Sequence, residues 1–217
     1  MADDASLLYS PIGGSYIPSD IKSLSDYWGI NFYDFAVAAD FDNSITVDDT
    51  VDYSKNPSFT QDLLQFRAGE KEFNPNHRTT YKLSNMLFST ASMVFLQKGA
   101  NVSYFPLIRT SRNSSLIDAE FVRKKKSPRE ILENFAPSNN ATIIAAEYLR
   151  NDPEKPFDVI AVADTDFIYD AFWGIEKKFL DRSYFVPLFD NVNFKLFCNS
   201  VILLSSINSF FKINLSK

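Results

Sequence analysis

The chain has 217 residues, of which 45% are hydrophobic, 23% charged and 15% aromatic, a composition typical of a globular protein and not of a disordered one. Its 22 basic and 27 acidic residues give a net charge of −5, which argues against a nucleic-acid partner. A single cysteine, Cys198, and a single histidine, His77, exclude an internal disulfide, a cysteine zinc cage and a multi-histidine metal centre.

The first elements are predicted from capping and turn residues. Ser19 is typical of the N-cap of a helix, and Gly29 is placed to end that helix. Two β-type stretches follow between residues 30 and 39. The acidic segment 40–57 has almost no periodicity, and we expect it to form an irregular surface excursion.

The segment 79–96 is compatible with two strands or with a strand and a short helix. Ser127, followed by a proline and a glutamate, predicts a helix that runs to residue 135. Further strands are predicted at 102–108, 116–122, 142–148 and 157–163.

The strand at 157–163 determines the predicted fold class because it is almost wholly apolar. A sheet that is covered on both faces requires such strands, and most of these sheets are parallel with helical crossovers. Helices at 167–173 and 190–204 would then pack behind the strand. The sequence therefore predicts an α/β fold with a mostly parallel sheet and flanking helices.

Asp164 and Asp166 directly follow this strand. Ligands of open α/β sheets bind at the carboxyl ends of strands, and two carboxylates placed there could hold Mg²⁺ or Mn²⁺ against a phosphate. This arrangement would suit a divalent-metal-dependent phosphoryl or glycosyl transferase. In the structural interpretation, which we favour, Asp164 is a loop residue and Asp166 is the N-cap of a helix that begins at Phe167.

A second candidate binding segment follows the strand at 102–108. Arg109, Thr110 and Ser111 could bind an anionic group, although such runs more often form hydrogen-bonded loops. His77 lies in a turn sequence, and we expect it on the surface.

Two segments bear on membrane association. The basic run 123–126 would be a solvated loop flank or, alternatively, part of a membrane-surface module. The uncharged run 196–211 is slightly short for a bilayer span and contains several polar residues, which favours a packed terminal helix. The acidic N-terminus lacks the features of a secretory signal.

Four segments, in order, resemble the soluble region of the GldG-type auxiliary proteins of gliding-motility-associated ABC transporters. The similarity covers roughly residues 5–194 and rests on the segments 10–30, 105–120, 158–167 and 189–194. The tail, 195–217, departs from the family pattern and is apolar. We therefore divide the chain into an auxiliary domain at 1–194 and a divergent tail at 195–217.

The resemblance implies a non-catalytic domain with a flavodoxin- or amidotransferase-like α/β sheet and no cofactor or metal. It also implies a location at the extracytoplasmic face of a bacterial inner membrane, with an ABC permease and its ATPase as partners. Membrane association would come through these partners or through anchor segments that this chain lacks. We expect the chain to be a fragment of a longer domain and to self-associate through an exposed sheet edge.

Overall fold

The computed structural model describes residues 21–33, 35–50, 56–81, 83, 85–125, 127–164, 166–168, 174–179 and 182–187. The strands are β1 (Ile30–Phe32), β2 (Ala36–Asp40), β3 (Ser44–Asp48), β4 (Phe59–Gly69), β5 (Asn85–Ser89), β6 (Val94–Leu96), β7 (Ser103–Arg109), β8 (Ser114–Asp118), β9 (Ile143–Arg150), β10 (Phe157–Val162), β11 (Gly174–Phe179) and β12 (Arg182–Pro187). The helices are α1 (Ile21–Trp28), α2 (Ala119–Lys124) and α3 (Pro128–Glu133), and short 3₁₀ turns lie at Glu70–Glu72 and Asp166–Ile168.

The predicted fold class is wrong, because the fold is mostly antiparallel β-sheet and not a parallel, flavodoxin-like α/β sheet. Among the residues that the structure describes, every strand pairing is antiparallel. The loop 151–156 joins β9 to β10, its antiparallel neighbour. A loop this short closes a hairpin, whereas a parallel pair requires a crossover of a dozen or more residues.

The apolar character of β10 has another cause. In the sheet ordered β10-β9-β7, the central strand β9 and the second half of β10 are buried on both faces. Ile160 and Val162 belong to a core cluster that includes Phe66 of β4. Ala161 belongs to a second cluster with Ile30 of β1. Burial on both faces therefore produced the apolar pattern, and it did so in an antiparallel sheet.

An extra residue interrupts the pairing of β7 with β9. Pro106 and Ile108 pair with consecutive residues of β9, so Leu107 is unpaired and forms a β-bulge. The segment that follows β4 occupies the other side of β7. There Asn74 N donates to Leu107 O at 2.9 Å, Asn74 Nδ2 donates to Pro106 O at 3.0 Å, and Phe73 forms a bridge with Ile108.

The capping residues correctly predicted two helix boundaries. α1 ends at Trp28, and Gly29 follows it with a positive φ of 70°. Ser127 is the N-cap of α3, where its Oγ accepts from Glu130 N at 3.4 Å, and Pro128 is the first helical residue. The predicted cap of α1, Ser19, lies outside the described residues.

Two further sequence predictions, for the segments 40–57 and 116–122, need correction. The segment 40–57 is not wholly irregular, because it contains β3, which pairs with β4. The predicted strand 116–122 is divided between β8 and α2, and Asp118 caps that helix by accepting from Phe121 N at 2.9 Å.

The region after β10 is only partly described. Where a helix was predicted at 167–173, the structure has the 3₁₀ turn Asp166–Ile168, and residues 169–173 lie outside the description. The predicted helix at 190–204, Cys198 and the tail 195–217 also lie outside it. Across the described part of the chain, no helix combines the length and the apolar character needed to cross a membrane.

Candidate functional site

The two predicted binding segments lie at the same end of one sheet. β7 and β10 flank β9 and both run antiparallel to it, so their carboxyl ends lie beside its first residues. Arg109 pairs with Ile143, while Ala163 N donates to Ile144 O at 2.9 Å. The fold therefore brings Arg109 and Asp164 to one end of the sheet, on opposite sides of β9.

Asp164 is fully buried, and both of its carboxylate oxygens accept main-chain hydrogen bonds. Oδ2 accepts from Ser89 N at 2.9 Å, and Oδ1 accepts from Phe167 N at 3.1 Å. The bond to Phe167 is the capping role that the sequence analysis assigned to Asp166. The structure gives this role to Asp164, which also fastens the end of β5 to the 3₁₀ turn.

Asp166 has a different environment from Asp164. It begins the 3₁₀ turn and is partly exposed. Within the described ranges, no group of three or more histidine, cysteine, aspartate or glutamate side chains is arranged to hold a metal ion. The local geometry thus gives the buried carboxylate a structural task and leaves its neighbour nearer the surface.

The segment from Arg109 to Ser111 is anchored mainly by internal hydrogen bonds. The Arg109 side chain is exposed at the end of β7. Thr110 is buried, and its hydroxyl accepts from Thr142 N at 2.8 Å and bonds Ser114 Oγ at 2.7 Å. Of these three residues, Arg109 is the one whose charge faces solvent, where it could meet an anion.

Ser111 is held by a residue that sequence reasoning placed at the start of an exposed segment. Asp40 is fully buried and accepts from Ser111 N at 2.7 Å and from Ser111 Oγ at 2.6 Å. It also accepts from Asn43 Nδ2 at 2.8 Å and Asn43 N at 3.3 Å. The spacing of Asp40 and Asn43, three residues apart after an apolar strand, is typical of an aspartate-centred turn and was the available signal.

Sequence reasoning missed a cluster of ionisable residues beneath the turn at 74–81. His77 Nε2 lies 3.1 Å from Glu147 Oε2, and their side chains are 15% and 8% exposed, so the prediction that His77 is a surface residue is wrong. Burial, followed by the charge of Glu147 and hydrogen bonding with it, raises the pKa of Asp158 to about 6. The signal was Glu147 itself, an acidic residue in the middle of a mostly apolar strand.

Neighbouring carboxylates pair three cations in the described part of the basic run 123–126 and at the nearby Arg129, and the two shortest contacts are those of Arg123 and Arg129. Arg123 pairs with Glu120 at 2.6 Å within α2. Arg129 pairs with Asp49 at 2.8 Å, and this bond holds the pKa of Asp49 below its usual value. These pairs fit the interpretation of this region as a solvated flank.

Two exposed aromatic residues lie just before β2, and hydrogen bonds hold their main chain in place. Phe35 is 74% exposed and Tyr33 is 43% exposed. Tyr33 N donates to Met93 O at 3.0 Å, and Ser92 Oγ donates to Tyr33 O at 2.5 Å. Ala119 N donates to Phe35 O at 2.9 Å. The main chain is thus fixed on both sides while the two rings face solvent.

A family model with the description "ABC-type uncharacterized transport system" matches residues 4–199 of the chain. The chain belongs to this family. It is therefore an auxiliary component of an ABC-type transport system, which agrees with the broader part of the resemblance found in the sequence. Such a component works with transporter partners in a membrane-associated system. A search of curated proteins finds no match to the chain.

Proposed function

We propose that this ABC-transport auxiliary chain is a non-catalytic domain at the extracytoplasmic face of a bacterial inner membrane. There it binds the permease subunit of a GldG-like system of the kind associated with gliding motility, in a complex that includes the ATPase. Family membership supports the transport role. The ordered GldG-like segments support the finer assignment.

The pair Tyr33 and Phe35 carries this proposal. Large aromatic side chains dominate the energy of protein interfaces, and they bind best when little conformational entropy is lost on association. Here the main chain beneath both rings is already fixed by hydrogen bonds from Ser92 and Ala119. An exposed aromatic pair on a preorganised backbone is the surface that a protein-binding domain needs.

The environment of the predicted site residues also favours binding over catalysis. Asp164 is buried, and each of its oxygens already accepts a main-chain hydrogen bond. The main-chain N–H and the hydroxyl of Ser111 both donate to Asp40. Groups used in this way stabilise the fold.

Co-purification tests the proposal. The chain is co-expressed with the permease and ATPase of its own transport system, and the double variant Tyr33→Ser, Phe35→Ser is compared with Phe59→Ser. Phe59 is 61% exposed at the start of β4 and serves as the matched control. We expect the double variant to lose at least about tenfold of the captured permease, because truncated interface anchors typically cost over 1 kcal/mol each. Equal capture of the permease by the wild-type chain, the double variant and the Phe59→Ser control would contradict the proposal.

The transferase alternative has its own test. It requires Mn²⁺ binding that depends on both Asp164 and Asp166, which calorimetry measures directly. We expect no saturable Mn²⁺ binding by the purified chain. Binding that disappears in both Asp164→Asn and Asp166→Asn would instead favour the enzyme.

Self-association through a sheet edge stays a prediction, and size-exclusion chromatography tests it.

A further inference from the structure

Glu147 and Asp158 lie on the same face of the β10-β9-β7 sheet. Glu147 pairs with Ile160 and Asp158 pairs with Leu149, so the two acidic residues are diagonal neighbours on adjacent antiparallel strands. Diagonal side chains on one face are within reach of each other. On the other side of β9, the residue opposite Glu147 is Phe105, which carries no charge. The sheet therefore places two carboxyl groups together.

The turn at 74–81 covers this pair and contributes His77 and Arg78. Thr79 N donates to His77 Nδ1 at 3.3 Å, which assigns the ring proton to Nε2, 3.1 Å from Glu147 Oε2. In this tautomer the uncharged ring donates from Nε2 to Glu147 and does not compensate the charge of that carboxylate. The positive charge of Arg78, like that of His77 when it is protonated, favours the ionised form of Asp158 and so lowers its pKa.

One oxygen of the pair has no donor. Asp158 Oδ1 is buried and accepts no hydrogen bond within the described part of the chain. A buried carboxylate oxygen without a donor is costly, and two carboxylates that share a site cannot both ionise easily. A proton on one of the two acids removes the like-charge repulsion and supplies a hydrogen bond between them.

We propose that Glu147 and Asp158 share a single proton across the β9–β10 ladder, and that this proton makes the attachment of the His77 turn to the sheet sensitive to pH. Loss of the proton leaves two adjacent carboxylates on one face of the sheet. Their repulsion loosens the contact between the turn and β9. This regulatory device does not depend on the proposed partner or location.

The sign of the effect follows from linkage. The folded protein binds the proton more tightly than the unfolded chain, because the pKa of Asp158 is raised from 3.8 to about 6 on folding. The stabilisation is complete below the unfolded pKa and is lost as the pH rises through the folded pKa. We expect the unfolding equilibrium constant to rise by up to roughly tenfold between pH 5 and pH 7, and by less where solvent screens the partly exposed Asp158.

The experiment is urea unfolding of the full chain from pH 5 to pH 8. Asp158→Asn and Glu147→Gln each replace a carboxyl with an amide that donates permanently, so each should remove the pH dependence. Asp26→Asn alters an exposed carboxyl of α1 and should keep it. A wild-type profile that is flat, or one that both amide variants retain, would overturn the proposal.

Two measurements on the wild-type chain remain decisive even where a variant fails to fold. Carboxyl ¹³C NMR should show that Asp158 titrates with a midpoint near 6. The exchange protection of the Thr79 amide, corrected for its intrinsic rate, should fall over the same pH range, since this N–H donates to His77 Nδ1. A titration of Asp158 below pH 5 would refute the shared proton, and unchanged protection of the Thr79 amide would refute its effect on the turn.

Discussion

Asp40 at the end of β2 accepts two hydrogen bonds from Ser111, one from its main-chain N–H at 2.7 Å and one from its hydroxyl at 2.6 Å. The bonds join the end of β2 to the loop between β7 and β8. Because Asp40 is fully buried, no water is at hand to accept these hydrogen bonds in its place. The contact thus holds together segments that are distant in the sequence.

Replacing Asp40 by alanine should destabilise the protein by roughly 2–4 kcal/mol, because it leaves four partly buried donors of Ser111 and Asn43 without their acceptor. Asp42→Ala is the matched control, since Asp42 accepts one hydrogen bond from Asn113 at an exposed position and should cost less than about 1 kcal/mol. Urea unfolding measures both values. Equal losses in the two variants would contradict a structural role for Asp40.

We expect Asp164→Asn to cost roughly 1–3 kcal/mol, because an amide offers one acceptor oxygen where Ser89 N and Phe167 N now donate to two. Asp166→Asn, at a partly exposed position, should cost about 0.5 kcal/mol or less. Thermal unfolding of the two variants ranks them. A larger loss in Asp166→Asn would show that the capping role has been assigned to the wrong aspartate.

Alanine substitutions at two glycines with positive φ distinguish the energetic cost of backbone strain from that of steric overlap. Gly99 has a φ of 83° and open space around it, so Gly99→Ala should cost about 1–2 kcal/mol from backbone strain alone. At Gly29 a Cβ would also lie 2.6 Å from Ala100 Cβ, which should raise the cost of Gly29→Ala to roughly 2–5 kcal/mol. Chemical denaturation gives both values, and equal costs would mean that Ala100 yields freely.

Arg150 links β9 to α1 through two aromatic rings. Its guanidinium lies 4.6 Å from the ring centroid of Phe157 and 5.2 Å from that of Tyr27, and its NH2 group donates to Tyr27 O at 3.2 Å. Arg150→Met keeps most of the apolar stem and should cost about 1–2 kcal/mol. Arg150→Lys should recover only part of this loss, because lysine lacks the planar group. Full recovery in the lysine variant, measured by urea unfolding, would show that charge alone matters.

Local signals predicted helix ends and several strands, while the sheet order depended on information that is not local. Ser127 and Gly29 act through hydrogen bonds and dihedral angles within a few residues, so their roles can be read from the sequence. The 11-residue strand β4 was missed because its burial does not alternate at Leu63 and Leu64, and its pairing with β3 shifts register after Ser44. A bulged strand does not show a regular two-residue period.

The candidate site was predicted as a set of residues but not as a set of pairs. Ser111 was identified without its partner Asp40, which is 71 residues away, and Asp164 without Ser89, which is 75 residues away. His77 and Glu147 are separated by 70 residues. Nothing in the local sequence indicates such pairs, since they form only when the antiparallel strands have taken their register.

Because of the bulge at Leu107, a second copy of the chain cannot add a strand to the outer edge of β7. Intermolecular strand addition needs a row of free main-chain donors and acceptors in register. Pro106 has no N–H to offer, and Leu107 O already accepts from Asn74 N. Any fibril-like stacking of this protein must therefore begin at a different strand.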